Sequence, residues 1–159
     1  MGSTHAFVNE RRKQTMIIIQ TLLAAGFFVS VIVHAASLVD LFEFPRLMAT
    51  ALHFGSFAGM IAAVRVSRQT REKVNVADFK RIVRKACPHG LLVFTGILIL
   101  YAFTGLLHAV VNKYSQTAPA PETAAPRYVT AHWPALYALA FMIVDSCRRY
   151  LRNNDEMHS

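Results

Sequence analysis

No charged residue occurs between Met16 and Val39, between Leu47 and Val64, or between Gly90 and Asn112. Runs of this kind leave few ways to fold, because at ~1.5 Å of rise per residue each helix would span most or all of a ~30 Å hydrocarbon layer. In hydrocarbon every backbone N–H and C=O must be satisfied within the protein, which favours helices. A fourth block, Tyr128 to Cys147, carries one acid, Asp145, near its end and Pro134 near its start. If its helix begins near His132 or Trp133, Pro134 falls in the first turn, where the missing N–H costs little. The expected fold is therefore all-α: a four-helix transmembrane bundle forming one integral membrane domain over 1–159, with spans at about 16–40, 47–65, 89–111 and 130–148. A composition of 54% hydrophobic and 16% charged residues agrees, being richer in apolar side chains than a water-soluble domain requires.

The formal charge of +8 raises the possibility of nucleic-acid binding, but the cations are sorted by loop rather than along one soluble face. Arg11, Arg12 and Lys13 precede the first span, eight Lys and Arg from Arg65 to Lys85 join the second and third, and Arg148, Arg149 and Arg152 follow the fourth. The remaining connections hold only Arg46, Lys113 and Arg127. The positive-inside rule then places both termini and the middle connection on the cytoplasmic or matrix side of an inner membrane, bacterial or mitochondrial. The first block is too long for a signal-peptide core and lacks a convincing cleavage site, so it is expected to remain as an anchor. Cys87 and Cys147 both fall at the basic side, where free thiols are expected.

Within the basic connection, Val76, Phe79, Ile82, Val83 and Ala86 recur at helical spacing with Lys80, Arg81, Arg84 and Lys85 opposite, after a possible cap at Asn75. This predicts a short amphipathic helix at about 76–86, lying in the headgroup region and facing anionic lipid or an acidic partner. The outer loop from Asn112 to Arg127 contains three prolines among small residues and reads as an extended linker.

With the spans oriented, His34, His53, His108 and His132 all fall in the outer third, one from each helix. Such a layer could hold a haem b between two histidines, bind a metal ion, or hydrogen-bond a quinone. The plainer reading is interhelical or interfacial packing, since a histidine near the interface can reach water with its polar edge. No matching inner layer of histidines exists, and Cys87-Pro88-His89 lacks the first cysteine of a covalent haem motif. The expectation is therefore no cofactor, with haem b as the alternative.

Ala51, Gly55, Gly59 and Ala63 place a small residue at every fourth position of the second helix, a spacing that lets helix backbones approach closely in lipid. Packing within the chain's own bundle is expected, and Gly90 and Gly96 suggest the same use on the third helix. There Tyr101, Thr104 and His108 share a polar face that could turn inward, while Asp145 is placed to pair with Arg148 and Arg149. No nucleophile with a plausible base, paired membrane carboxylates or phosphate loop is evident.

Leu52-His53-Phe54-Gly55, Gly59, Phe79, Lys80-Arg81, Arg84-Lys85 and Cys87-Pro88 together resemble the transmembrane-protein-205-like family of unknown function, over about a third of the chain. The pattern departs at Cys87, where that family has an aromatic residue, at His89 and Gly90, and in matching the second helix rather than the first. The resemblance implies a four-helix membrane protein with no established chemistry. Short connections leave no room for a soluble catalytic domain. The expected role is a non-catalytic accessory subunit of a larger, energy-transducing (respiratory-type) inner-membrane complex, with other membrane subunits and anionic lipids as partners and no nucleic acid. The alternatives are a small b-type cytochrome or quinone-reactive electron carrier, and a lipid or small-solute carrier.

Overall fold

A computed structural model of the chain describes residues 3–39, 46–71, 85–115 and 130–157. It holds four helices, α1 (Ser3–Leu38), α2 (Arg46–Arg71), α3 (His89–Ser115) and α4 (His132–Met157), and no strand among the described residues. The expected helix at 76–86 lies outside the described residues except for Lys85 and Ala86, and Lys80, Arg81 and Arg84 lie outside them altogether.

Each helix extends beyond the uncharged run that announced it. α1 begins well before Met16 and takes in Arg11 to Lys13, while α4 continues past Cys147 through Arg148, Arg149 and Arg152. A helix already formed in the core extends cheaply, since each further residue adds one backbone hydrogen bond without a new nucleation cost. Four buried hydroxyls are satisfied inside their own helices: Ser30 donates to the Phe27 carbonyl, Ser56 to His53, Thr70 to Val66 and Ser146 to Met142. This local bonding lets small polar residues occupy an apolar bundle without a partner on another helix.

The centre of the bundle is α4. It packs along α1, α2 and α3, whereas the other pairings are limited to a shorter α1–α2 seam and marginal contacts. The main core joins Leu23 and Val33 of α1, Leu52 and Ala63 of α2, and Trp133, Tyr137, Ala140 and Val144 of α4. Surrounded by three helices, α4 must be slim, and Ala135, Ala138, Ala140, Ser146 and Cys147 are all buried. The large exposed hydrophobic side chains, among them Leu22, Phe28, Phe54, Ile61, Ile97 and Phe103, belong instead to the three outer helices.

Three stretches are long and apolar enough to cross a membrane: Lys13–Leu38, Leu47–Arg71 and His89–His108. α4 is not among them, since Asp145, Arg148, Arg149, His132 and Pro134 lower its hydropathy. Its position accounts for this composition. A helix enclosed by protein has little lipid to face, so its outer polarity is relaxed while its volume is constrained.

A second, smaller cluster joins Met16, Val66 and Cys147, with Leu151 against it, so the start of α1 and the ends of α2 and α4 share one end of the bundle. Phe27 meets Phe94 edge-on and His34 meets Tyr101, two contacts with the same sequence offset of 67. A constant offset means that α1 and α3 run parallel, which puts the start of α3 at that end too. Arg11, Arg65, Arg68, Lys85, Arg148, Arg149 and Arg152 therefore gather at one end, and the histidines of α1, α2 and α4 at the other. Cys87 and Cys147 are buried thiols at the cationic end, with no disulfide between them.

Candidate functional site

The histidine end contains two groupings rather than one layer. His34 is buried on α1 and uses both ring nitrogens: Nδ1 lies 2.7 Å from Thr130 Oγ1 and Nε2 lies 2.9 Å from the Tyr101 hydroxyl. Ser37 donates to the His34 carbonyl and also lies 3.3 Å from Thr130 Oγ1. These contacts tie the last part of α1, the middle of α3 and the turn before α4 into one polar junction, with the imidazole as its centre. Each hydroxyl can donate or accept, so the neutral imidazole is satisfied at both nitrogens in either tautomer.

His53 of α2 and His132 of α4 form the second grouping. Nδ1 of His53 is 3.2 Å from Nε2 of His132, and the rings are nearly perpendicular with centroids 5.4 Å apart. The centroid distance exceeds the nitrogen distance by nearly two ring radii, so the nitrogens meet head-on. That is the geometry of one imidazole N–H donating to the other ring. A shared metal would instead require both lone pairs to converge on a third point beside the N···N line. The pair also packs within aromatic surroundings, with Phe54 and Phe57 edge-on to His53 and Trp133 beside His132.

Neither grouping fits a haem held between two axial histidines. His53 and His132 are in direct contact with no room for a haem between them, and both nitrogens of His34 are taken up by hydroxyls. His108 is exposed and lies two turns beyond Tyr101 on α3. Among the described residues, no three His, Cys, Asp or Glu side chains come together as a metal site would need.

At the cationic end, Asp145 is buried and accepts from Gln20 Nε2 at 2.8 Å and from Arg149 Nε at 2.7 Å. The expected pairing with Arg149 is one turn along the same helix, and Gln20 adds a bond across to α1. Three buried polar atoms, Gln20 Oε1, Thr95 Oγ1 and Trp133 Nε1, have no hydrogen-bond partner among the described residues.

The small-residue face of α2 meets the chain's own side chains at three of its four positions. A Cβ on Gly55 would collide with the Tyr137 hydroxyl, one on Gly59 would lie 2.6 Å from Leu23 Cδ2, and Ala63 is fully buried, while Ala51 is exposed. Gly26 of α1 faces the same Tyr137 ring, so one tyrosine of α4 sits in a notch cut by one glycine of α1 and one of α2. Gly90 and Gly96 meet open space, not a helix. Thr104 is exposed and donates to its own helix at Leu100, whereas the Tyr101 hydroxyl reaches His34 of α1. Lys85 is exposed at the approach to α3.

Thr130, Gln20 and Tyr137 carry these arrangements, and the sequence reading passed over all three. Gln20 was the findable one, as the amide within an otherwise apolar stretch of α1. Thr130 and Tyr137 carry no such signal, because their roles depend on which helices become neighbours.

Comparison with family models finds no match, and comparisons with curated proteins and with solved structures find none either. Fold and site together define a class: an all-α four-helix protein, three of whose helices are long and apolar enough to cross a membrane, closed at one end by cations and at the other by hydrogen-bonded histidines.

Proposed function

We propose that the chain is a non-catalytic accessory subunit of a larger inner-membrane assembly of the energy-transducing kind, with α4 as a fourth crossing and the cationic end on the cytoplasmic or matrix side. The observation that carries the reading is the outward position of α3. Its apolar span is 6% buried within the chain, against 22% for that of α1 and 17% for that of α2. α3 packs mainly on α4, its less exposed positions being Leu91, Thr95, Leu98, Ala102 and Gly105, while Ile97, Leu100 and Phe103 are exposed. Lipid tails are as apolar as leucine, so the helix least buried within the chain gains most from a further protein surface that packs against it. The side chains at the histidine end are spent on one another, which suits a structural junction better than a reaction centre. The family resemblance carried by Leu52 to Gly55 and the basic connection implies a four-helix membrane protein with no established chemistry, which is compatible with this reading.

The test is site-specific photocrosslinking in native membranes from Ile97 and Phe103 on α3, compared with Phe54 and Ile61 on α2. A discrete protein adduct from the α3 positions, stronger than any from α2 and comigrating with a large assembly on native gels, is expected. Lipid adducts alone at all four positions would overturn the accessory reading.

A further inference from the structure

α1 and α3 run parallel but do not close on each other. Below the Phe27–Phe94 contact they leave an apolar groove of about 180 Å³, floored by Ala138 and Phe141 of α4 and walled by Ala24, Phe27, Phe28, Leu91 and Phe94. A closed apolar cavity of ~150 Å³ already holds a benzene-sized group, so this space suits a stretch of hydrocarbon chain. All seven lining side chains are hydrocarbon. Nothing in the lining can hydrogen-bond a quinone ring, a sugar or a headgroup, so the groove itself matches a hydrocarbon chain such as a lipid tail.

The position of the groove supplies the other half of the ligand. Leu91 lies in the first turn of α3, so the groove starts next to the cationic end, where Lys85 and His89 are exposed. An acyl chain lying along α1 and α3 from that end would leave its phosphate at the level of Lys85. We infer that the groove between α1 and α3 is a binding site for one phospholipid with an anionic headgroup, its acyl chain against Phe27, Phe94 and Phe141 and its phosphate paired with Lys85. The lipid completes the bundle where α1 and α3 fail to meet. This rests on membrane residence and not on the accessory role, so the crosslinking experiment and the one below can fail separately.

The experiment is native mass spectrometry of the full chain in mild detergent, titrated with phosphatidylglycerol or with phosphatidylcholine of the same acyl chains. One retained phosphatidylglycerol is expected, with about fivefold tighter binding than phosphatidylcholine, the ratio that corresponds to ~1 kcal/mol per surface cation. Ala24→Phe fills the groove and should lower retention of both lipids at least tenfold. Lys85→Glu, a surface change outside the core, should abolish the preference for phosphatidylglycerol while sparing the chain-dependent binding. Helicity and the thermal transition, followed by circular dichroism, verify that each variant is folded. Equal retention of the two lipids by the unaltered chain overturns the headgroup assignment. Undiminished retention in folded Ala24→Phe overturns the groove. If Ala24→Phe does not fold, Phe94→Ala, at an exposed position, replaces it. Enlarging the groove there should change the preferred acyl-chain length, and an unchanged preference counts against the site.

Discussion

Tyr137 shows how much of this bundle depends on single residues. Its ring fills a notch made by Gly26 on α1 and Gly55 on α2, and its hydroxyl reaches the Leu52 carbonyl at 3.5 Å. Both glycines are required by this close approach and not by an unusual backbone. Gly55→Leu should therefore destabilise the protein by ~1 to 3 kcal/mol through overpacking, whereas Gly96→Leu, with open space where its side chain would go, should leave stability within about 0.5 kcal/mol. Unfolding titrated with a denaturing detergent and followed by circular dichroism measures both. Equal losses would mean that the notch is not what α2 uses its glycines for. The spacing of small residues in α2 announced close packing in advance, but Gly90 and Gly96 gave the same sign on α3 without the same use. Small-residue spacing reports what a helix permits, and the partner that exploits it is set by tertiary neighbours. The histidines teach the same lesson. Depth placed His34, His53 and His132 toward one end, yet depth cannot divide them into a His34–Thr130–Tyr101 junction and a His53–His132 pair, because rotation about each helix axis has no signature in such uniformly apolar segments.

Among the elements, α4 has the least apolar sequence and the most interior position. In a soluble protein those two properties would conflict, but in a membrane bundle the lipid-facing helices must be uniformly apolar and the enclosed one need not be. Four helices could be read from the chain because charge-free length is a strong signal. Their arrangement around α4 could not, since the hydropathy that finds a span is blind to what the span packs against. Its run of small buried residues was the available clue. The roles should separate under substitution: Ala140→Leu on α4 forces volume into a filled core and should cost ~1 to 3 kcal/mol, while Leu106→Ala on the exposed arc of α3 exchanges protein–lipid contact for lipid–lipid contact and should change stability by less than ~0.5 kcal/mol. In a soluble domain, truncating a large apolar residue is commonly the more harmful change. A larger loss for Leu106→Ala than for Ala140→Leu, in the same unfolding assay, would mean that α4 is not the centre.

At the scale of the whole molecule, the ordering of charge along the sequence becomes a charge gradient along the bundle axis. The clustering of Met16, Val66 and Cys147 and the parallel run of α1 and α3 put Arg68, Lys85 and Arg152 at one end, while the exposed Leu47 sits at the opposite end of α2. α2 has 26 residues, about 39 Å at ~1.5 Å each, enough to cross the ~30 Å hydrocarbon layer with its Arg68 turn emerging beyond it. A cation left in the hydrocarbon would cost ~2.5 to 3.5 kcal/mol on insertion scales, so the gradient itself holds the bundle upright. Membrane-impermeant maleimide labelling of oriented vesicles tests this directly, because the native thiols Cys87 and Cys147 are both buried and should label slowly in the folded protein. Arg68→Cys and Arg152→Cys should react from the cytoplasmic or matrix face, and Leu47→Cys from the opposite face. Reaction of Arg68→Cys and Leu47→Cys from the same face would mean that α2 does not cross. Reaction of Arg68→Cys and Arg152→Cys from opposite faces would break the shared cationic end, and with it the fourth crossing by α4.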